Sequence, residues 1–105
     1  MTIVGDHAFL SCNKITKITI QGNLEKIKSE AFRRCLNCII FDFRQASSVP
    51  TLFQASAFWN TASSKEIIVP DELYDEWIAA ENWNNETYVK PYIVKASQSS
   101  LGPLI

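Results

Sequence analysis

Apolar residues along this chain fall into short alternating runs separated by polar turns. "ITKITI", "CIIFDF" and "SKEIIV" place apolar side chains at about every second position, the period of a strand with one buried face. An Ala-Phe pair stands ahead of each run: Ala8-Phe9, Ala31-Phe32 and Ala57-Phe58. A shift of 23 positions carries Val4 onto Ile27, Phe9 onto Phe32, Cys12 onto Cys35, Ile15 onto Cys38, Ile18 onto Phe41 and Ile20 onto Phe43. A further shift of 26 carries Phe32 onto Phe58, Phe41 onto Ile67 and Phe43 onto Val69, with Thr61 and Ser64 at the two cysteine positions. The extra residues are expected in "QASSVPT", a turn-rich stretch.

Self-similarity at this period predicts an α/β solenoid of short parallel strands, stacked one per repeat. One unit cannot bury its apolar side alone, whereas stacked units bury like residues against like. The units are placed at about residues 3–25, 26–48 and 49–70 of a single domain spanning 1–105. After Val69-Pro70 the period becomes helical. In "DELYDEWIAAENW", Leu73, Trp77 and Ala80 share a stripe, with Tyr74 and Ile78 beside it. Asp71 is read as the N-cap and Glu72 as suited to the positive helix end, with the helix ending near Asn82. Trp77 and Trp83 are expected to cover the last rung, which a solenoid needs to shield its core. The cap is drawn over 71–95, with "TYVKPYIVKA" adding an extended edge segment and 96–105 a loosely held tail.

The composition fits one ordinary globular domain: 105 residues, 47% hydrophobic and 20% charged. A net charge of −1 leaves no electrostatic footprint for nucleic acid or an anionic membrane. No apolar run approaches the roughly 20 residues that span a bilayer, and "MTIVGDHAF" lacks the charged-then-apolar pattern of a secretory leader.

Candidate chemistry begins with "RRCLNCII", which holds Cys35 and Cys38. With His7 and Cys12 they make four ligands, enough in number for a Cys₃His zinc site. The repeat explains them differently. Cys12 and Cys35 occupy one position in successive units, and Cys38 stands where Ile15 did, so all three read as small buried core residues. A Cys12–Cys35 disulfide stays open, since neighbouring strands lie about 4.8 Å apart. No metal or other cofactor is expected. His7 aligns with Glu30 and Ser56 at a variable, exposed position. Glu72, Asp75, Glu76 and Glu81 form a solvated helix face in preference to a carboxylate pair for acid–base work. Asn85-Glu86-Thr87 matches an N-glycosylation acceptor, a triplet common by chance.

The pattern Ile-x-x-x-Ala-Phe-x-x-Cys-x-x-Leu-x-x-Ile-x-Ile resembles the BspA-like, bacterial surface-antigen type of leucine-rich repeat. Here Ile27, Ala31, Phe32, Cys35, Cys38, Phe41 and Phe43 carry it, and the resemblance covers residue 3 to about 70. The following "VP" strand end and Trp-bearing helix look like the end-piece that closes such arrays. The resemblance implies a non-catalytic binding or adhesion module of a bacterial surface, secreted or phage-associated protein. It also implies that the outward sheet face binds. That face comprises Lys17, Thr19 and Gln21, then Ile40, Asp42 and Arg44, then Glu66 and Ile68. In a parallel stack these form the rows Lys17–Ile40–Glu66 and Thr19–Asp42–Ile68, charged groups with two exposed isoleucines that suit a protein or glycan partner. Residues Ile3 to Phe9 start in mid-repeat, so an unpaired first edge is expected to self-associate or to meet upstream repeats. Two alternatives stay open: a structural unit whose role is to oligomerise, and a small zinc or thiol protein using Cys35 and Cys38.

Overall fold

The computed structural model describes residues 2–5, 8–9, 11–20 and 24–101. Seven strands occur in it: β1 (Thr2–Val4), β2 (Lys17–Thr19), β3 (Leu24–Ile27), β4 (Ile40–Asp42), β5 (Thr51–Leu52), β6 (Glu66–Val69) and β7 (Ile93–Lys95). They form two parallel sheets, β1-β3-β5 and β2-β4-β6-β7. The chain is therefore a solenoid of parallel coils, the first three of which give one strand to each sheet. The first sheet goes beyond the sequence reading. Its strands have two to four residues, and β3 is buried at Leu24 and Ile27 but not between, which is not the period-two signature.

Register follows the repeat. Lys17, Ile18 and Thr19 pair with Ile40, Phe41 and Asp42, which pair with Glu66, Ile67 and Ile68. On the other sheet Val4 pairs with Ile27, and Ile27 with Leu52. The pairing of Ile27 with Leu52 shows that only part of the third unit's insertion precedes β5; the rest lies between Leu52 and Phe58. The inward residues form ladders between the sheets, Val4–Ile27–Leu52 facing Ile18–Phe41–Ile67–Ile93. At the corner joining them the Ala-Phe pairs stack. Phe9 lies on Phe32 with centroids 5.6 Å apart and rings 12° from parallel, and Phe32 lies 5.3 Å from Phe58.

Backbone bonds tie these corners together. The N–H of Phe9 donates to Ala31 O at 2.7 Å, and that of Phe32 to Ala57 O at 3.0 Å. Ser11 donates likewise to Arg33 O and Arg34 to Trp59 O, both at 2.9 Å. Ser11, Arg34 and Asn60 share one repeat position, and all three are left-handed, with φ of 57°, 65° and 56°. The turn returns the Cys12 and Cys35 N–H groups to Phe9 O and Phe32 O, both at 3.2 Å. A left-handed residue costs about 1–2 kcal/mol when it is not glycine, and the repeated hydrogen bonds offset it.

Beyond Pro70 a 3₁₀ turn, Asp71–Leu73, leads into α1, Tyr74–Ala79. The helix is shorter than expected, and Asp71 does not cap it: Leu73 holds the N-cap position, with no side-chain capping bond. Trp77 and Trp83 are fully buried over the last coil. Trp83 packs 5.8 Å from Phe58 and 5.9 Å from Phe43, and Trp77 packs 5.7 Å from Phe43 and 5.2 Å from Trp83. The cap also closes the outer edge of β5. Trp83 Nε1 donates to Pro50 O at 2.8 Å, and Asn82 Nδ2 to Leu52 O at 2.7 Å and Phe53 O at 3.1 Å. Side-chain donors thus stand where a next strand would donate. On the second sheet β7 continues the ladder, pairing Ile93 with Ile67.

Residues 96–101, expected to be loosely held, are anchored instead. Ser97 N–H donates to Asp71 Oδ1 at 3.0 Å, and Ser100 N–H and Oγ donate to Glu66 Oε1 at 3.1 and 2.7 Å.

The buried position of Trp77 sets a stability test. Trp77→Ala should cost about 3–5 kcal/mol, as for other buried large aromatics, read as a lowered urea midpoint. An unchanged midpoint would show that the helix contributes nothing to closing the solenoid.

Candidate functional site

The sheet β2-β4-β6-β7 has an inner face in the core and an outer face. Parallel register places Lys17, Ile40 and Glu66 in one outer row and Thr19, Asp42 and Ile68 in the next, as the sequence predicted. Exposure differs from expectation. Lys17 and Thr19 are exposed and Glu66 is half-buried, but Ile40 retains 8% of its surface, Asp42 3% and Ile68 0%. Ile40 and Ile68 are therefore not the open apolar contacts expected of them. Ile40 lies between the longer side chains of Lys17 and Glu66 in its row. Ile68 lies on the strand whose ends hold residues 96–101. Gln21 and His7 lie outside the described residues.

Asp42 and Arg44 form a closed fork. Arg44 Nε donates to Oδ1 at 2.9 Å, Nη2 to Oδ2 at 2.9 Å, and the Arg44 backbone N–H to Oδ1 at 3.0 Å. Burial by itself pushes the Asp42 carboxyl up. The Arg44 hydrogen bonds and charge, with Lys17 nearby, more than reverse this and hold it below its ordinary value. The same bonds raise the pKa of Arg44. Its guanidinium is thus engaged within the fold, where the sequence reading had it reaching outward for a partner. What remains on this face is a rigid polar surface: Lys17 and Thr19 on β2, with the fork on and just beyond β4.

Cys35 and Cys38 are core residues, as expected, whereas Cys12 in the first coil is only half-buried against the core. Cys12, Cys35 and Cys38 are free thiols, the latter two buried. Cys35 Sγ donates to Phe9 O at 2.9 Å and Cys38 Sγ to Ile40 O at 3.2 Å. Burial raises the Cys35 thiol and pushes that of Cys38 up to about 11. Both are protonated near neutrality, the unreactive form. Among the described residues no three His, Cys, Asp or Glu side chains are grouped to hold a metal, and no helix is long and apolar enough to cross a membrane.

The carboxylates expected on one helix face are divided: Asp75 and Glu76 stand on α1, Glu72 in the 3₁₀ turn before it and Glu81 beyond it, all exposed. Glu76 and Glu81 border a cleft of about 290 Å³ between β5 and the cap, lined also by Pro50, Leu52, Ala80 and Trp83. One buried cation escaped the sequence reading. Lys65 Nζ sits 3.4 Å from the centroid of the Tyr92 ring and donates to Ala62 O at 3.2 Å. Burial pushes its amine down to about 8, while the ring face favours the charged form. Lys65 stands as the polar opening of "SKEIIV", and its burial depends on a cap residue 27 positions away, so nothing local signals it.

Residues 1–89 match the family model of the BspA type leucine-rich repeat region, which is described as six copies. No curated protein and no solved structure gives a significant match.

The fork makes a prediction opposite to that for a free surface arginine. Arg44→Ala leaves the buried Asp42 carboxylate without its partner and should cost about 3 kcal/mol. Chemical denaturation at pH 7 should show the loss, and it should shrink as the pH falls and the stranded carboxyl takes up a proton. A variant as stable as the parent at pH 7 would show the pair to be surface ornament.

Proposed function

The chain belongs to the BspA type leucine-rich repeat family, and from that premise we propose that it is a non-catalytic module that binds a protein or glycan at a bacterial cell surface or on a phage particle. Families of this repeat generally serve as interaction modules and not as enzymes. The observation that carries the reading is the exposed row start, Lys17 and Thr19, held beside the Asp42–Arg44 fork by parallel pairing. Strand backbone fixes the spacing of these groups, and the fork fixes the orientation of one charge pair before any partner arrives. Such pre-organisation lowers the ordering cost of binding. The exposed carboxylates of the cap lack this support, standing on a single six-residue helix and the short turns on either side of it.

Capture of surface proteins and a glycan array would supply the partner. Lys17→Glu with Thr19→Arg should then weaken it at least tenfold, about 1.4 kcal/mol, with an unchanged melting temperature. Glu72→Ala and Glu76→Ala should leave affinity within about twofold, since exposed charges contribute little. The opposite pattern, with helix variants abolishing binding and sheet variants leaving it intact, would move the working surface to the cap.

A further inference from the structure

The sheet β1-β3-β5 also turns a face outward. Val4, Ile27 and Leu52 point into the core, so the residues on either side of them in these strands point out. Ile3 pairs with Lys26 and Lys26 with Thr51, which makes one outer row. The Lys28 N–H donates to Val4 O and the Phe53 N–H to Ile27 O, which extends the register to a second row of Gly5, Lys28 and Phe53. Lys26 and Lys28 thus stand on one face, about 7 Å apart along the chain direction. No acid shares either row, and among the described residues neither lysine has an ion pair. Glu25, their neighbour in sequence, sits at the irregular step of the register and pairs with no residue of β1. Two ammonium groups at this spacing repel each other and raise the local potential. Large apolar side chains beside them are uncovered: Ile3 is 50% exposed and Phe53 38%. Lys28 Nζ lies 4.8 Å from the centroid of the Phe53 ring, a contact that holds the cation in place.

We propose that this face binds an extended acidic segment of a partner protein, with carboxylates at alternate positions. Charge and period carry the assignment. An extended chain repeats its side-chain direction every two residues, at about 7 Å. Asp or Glu at positions i and i+2 therefore projects to one side at the spacing of Lys26 and Lys28. Ile3 borders Lys26 on the β1 side and Phe53 borders Lys28 on the β5 side. The cations are thus rimmed by apolar surface, where an ion pair is screened less than in open water. The site is separate from Lys17 and Thr19, which stand on the other sheet, and it does not depend on binding there.

The test uses the full chain and two end-blocked peptides of one composition, GVDVEVG with alternate acids and GVVDEVG with adjacent ones, followed by amide NMR. The first should shift the amides of Lys26, Lys28 and Phe53 and bind at least tenfold tighter than the second, with affinity falling as salt is added. Lys26→Glu with Lys28→Glu should abolish the response, and Lys26→Arg with Lys28→Arg should keep it, which separates loss of charge from loss of fold. No shift with the alternating peptide would overturn the proposal, and so would equal affinity for the two peptides, because net charge alone would then account for binding. Shifts at Lys17 and Thr19 instead would place the peptide on the other sheet. Shifts at Lys26 and Lys28 with a polyuronate, or on raising the concentration of the chain itself, while the alternating peptide leaves them unmoved, would overturn it in favour of a glycan or a second copy.

Discussion

The structure depends on like aromatic residues of successive coils packing against each other. Phe32 touches Phe9 on one side and Phe58 on the other, and Phe41 meets both Phe32 and Phe58 edge-on at 5.2 Å. A single coil has an apolar interior but no second layer to bury it against, and the neighbouring coil supplies that layer. Register is then obligatory, because a one-residue slip would turn Phe41 outward and Asp42 inward. The three extra residues of the third unit are accordingly spent in loops on either side of β5, where they leave the Phe32–Phe58 and Phe41–Ile67 contacts in place. The cap ends the column by the same means. Trp83 lies against Phe58 as another phenylalanine would, while its indole N–H and the Asn82 amide satisfy the open edge of β5.

Period and repeat made the inner face legible. Ile18, Phe41 and Ile67, the two outer rows and the buried Cys35 and Cys38 follow from alternation and the shifts of 23 and 26, and the two covering tryptophans from the helical stripe beyond Pro70. Other features left no local trace. The left-handed corner is occupied by Ser11, Arg34 and Asn60, three side chains with no shared chemistry, because the backbone conformation and not the residue type is repeated. Asp71 looked like a helix cap because it precedes a helix, yet its carboxylate faces a serine 26 positions on. The serine-rich end looked loose because it has little apolar surface, whereas its anchors are acceptors on β6 and just beyond it. Asp42 ends β4 and Arg44 lies two residues on, where the chain turns back so that its backbone N–H and guanidinium both reach the carboxylate; reading them separately missed the fork.

The consequence for function is a division of the outer face. Upstream, Lys17 and Thr19 stand open beside a charge pair that is already oriented. Downstream, Ser97 and Ser100 are bonded to Asp71 and Glu66. A sheet face that looked uniform in sequence is thus open at Lys17 and Thr19 and closed at Asp42 and Ile68. The anchored segment and the aromatic column meet at β6, whose inner residues Ile67 and Val69 belong to the core and whose Glu66 accepts from Ser100.

The most direct measurement of the central claim is a proton Overhauser map of the aromatic rings in the intact chain. The account predicts one unbroken path of ring-to-ring contacts, from Phe9 through Phe32 and Phe58 to Trp83 and Trp77. A path that stops between Phe58 and Trp83 would contradict it, because the cap would then be a separate body and the column would end uncovered.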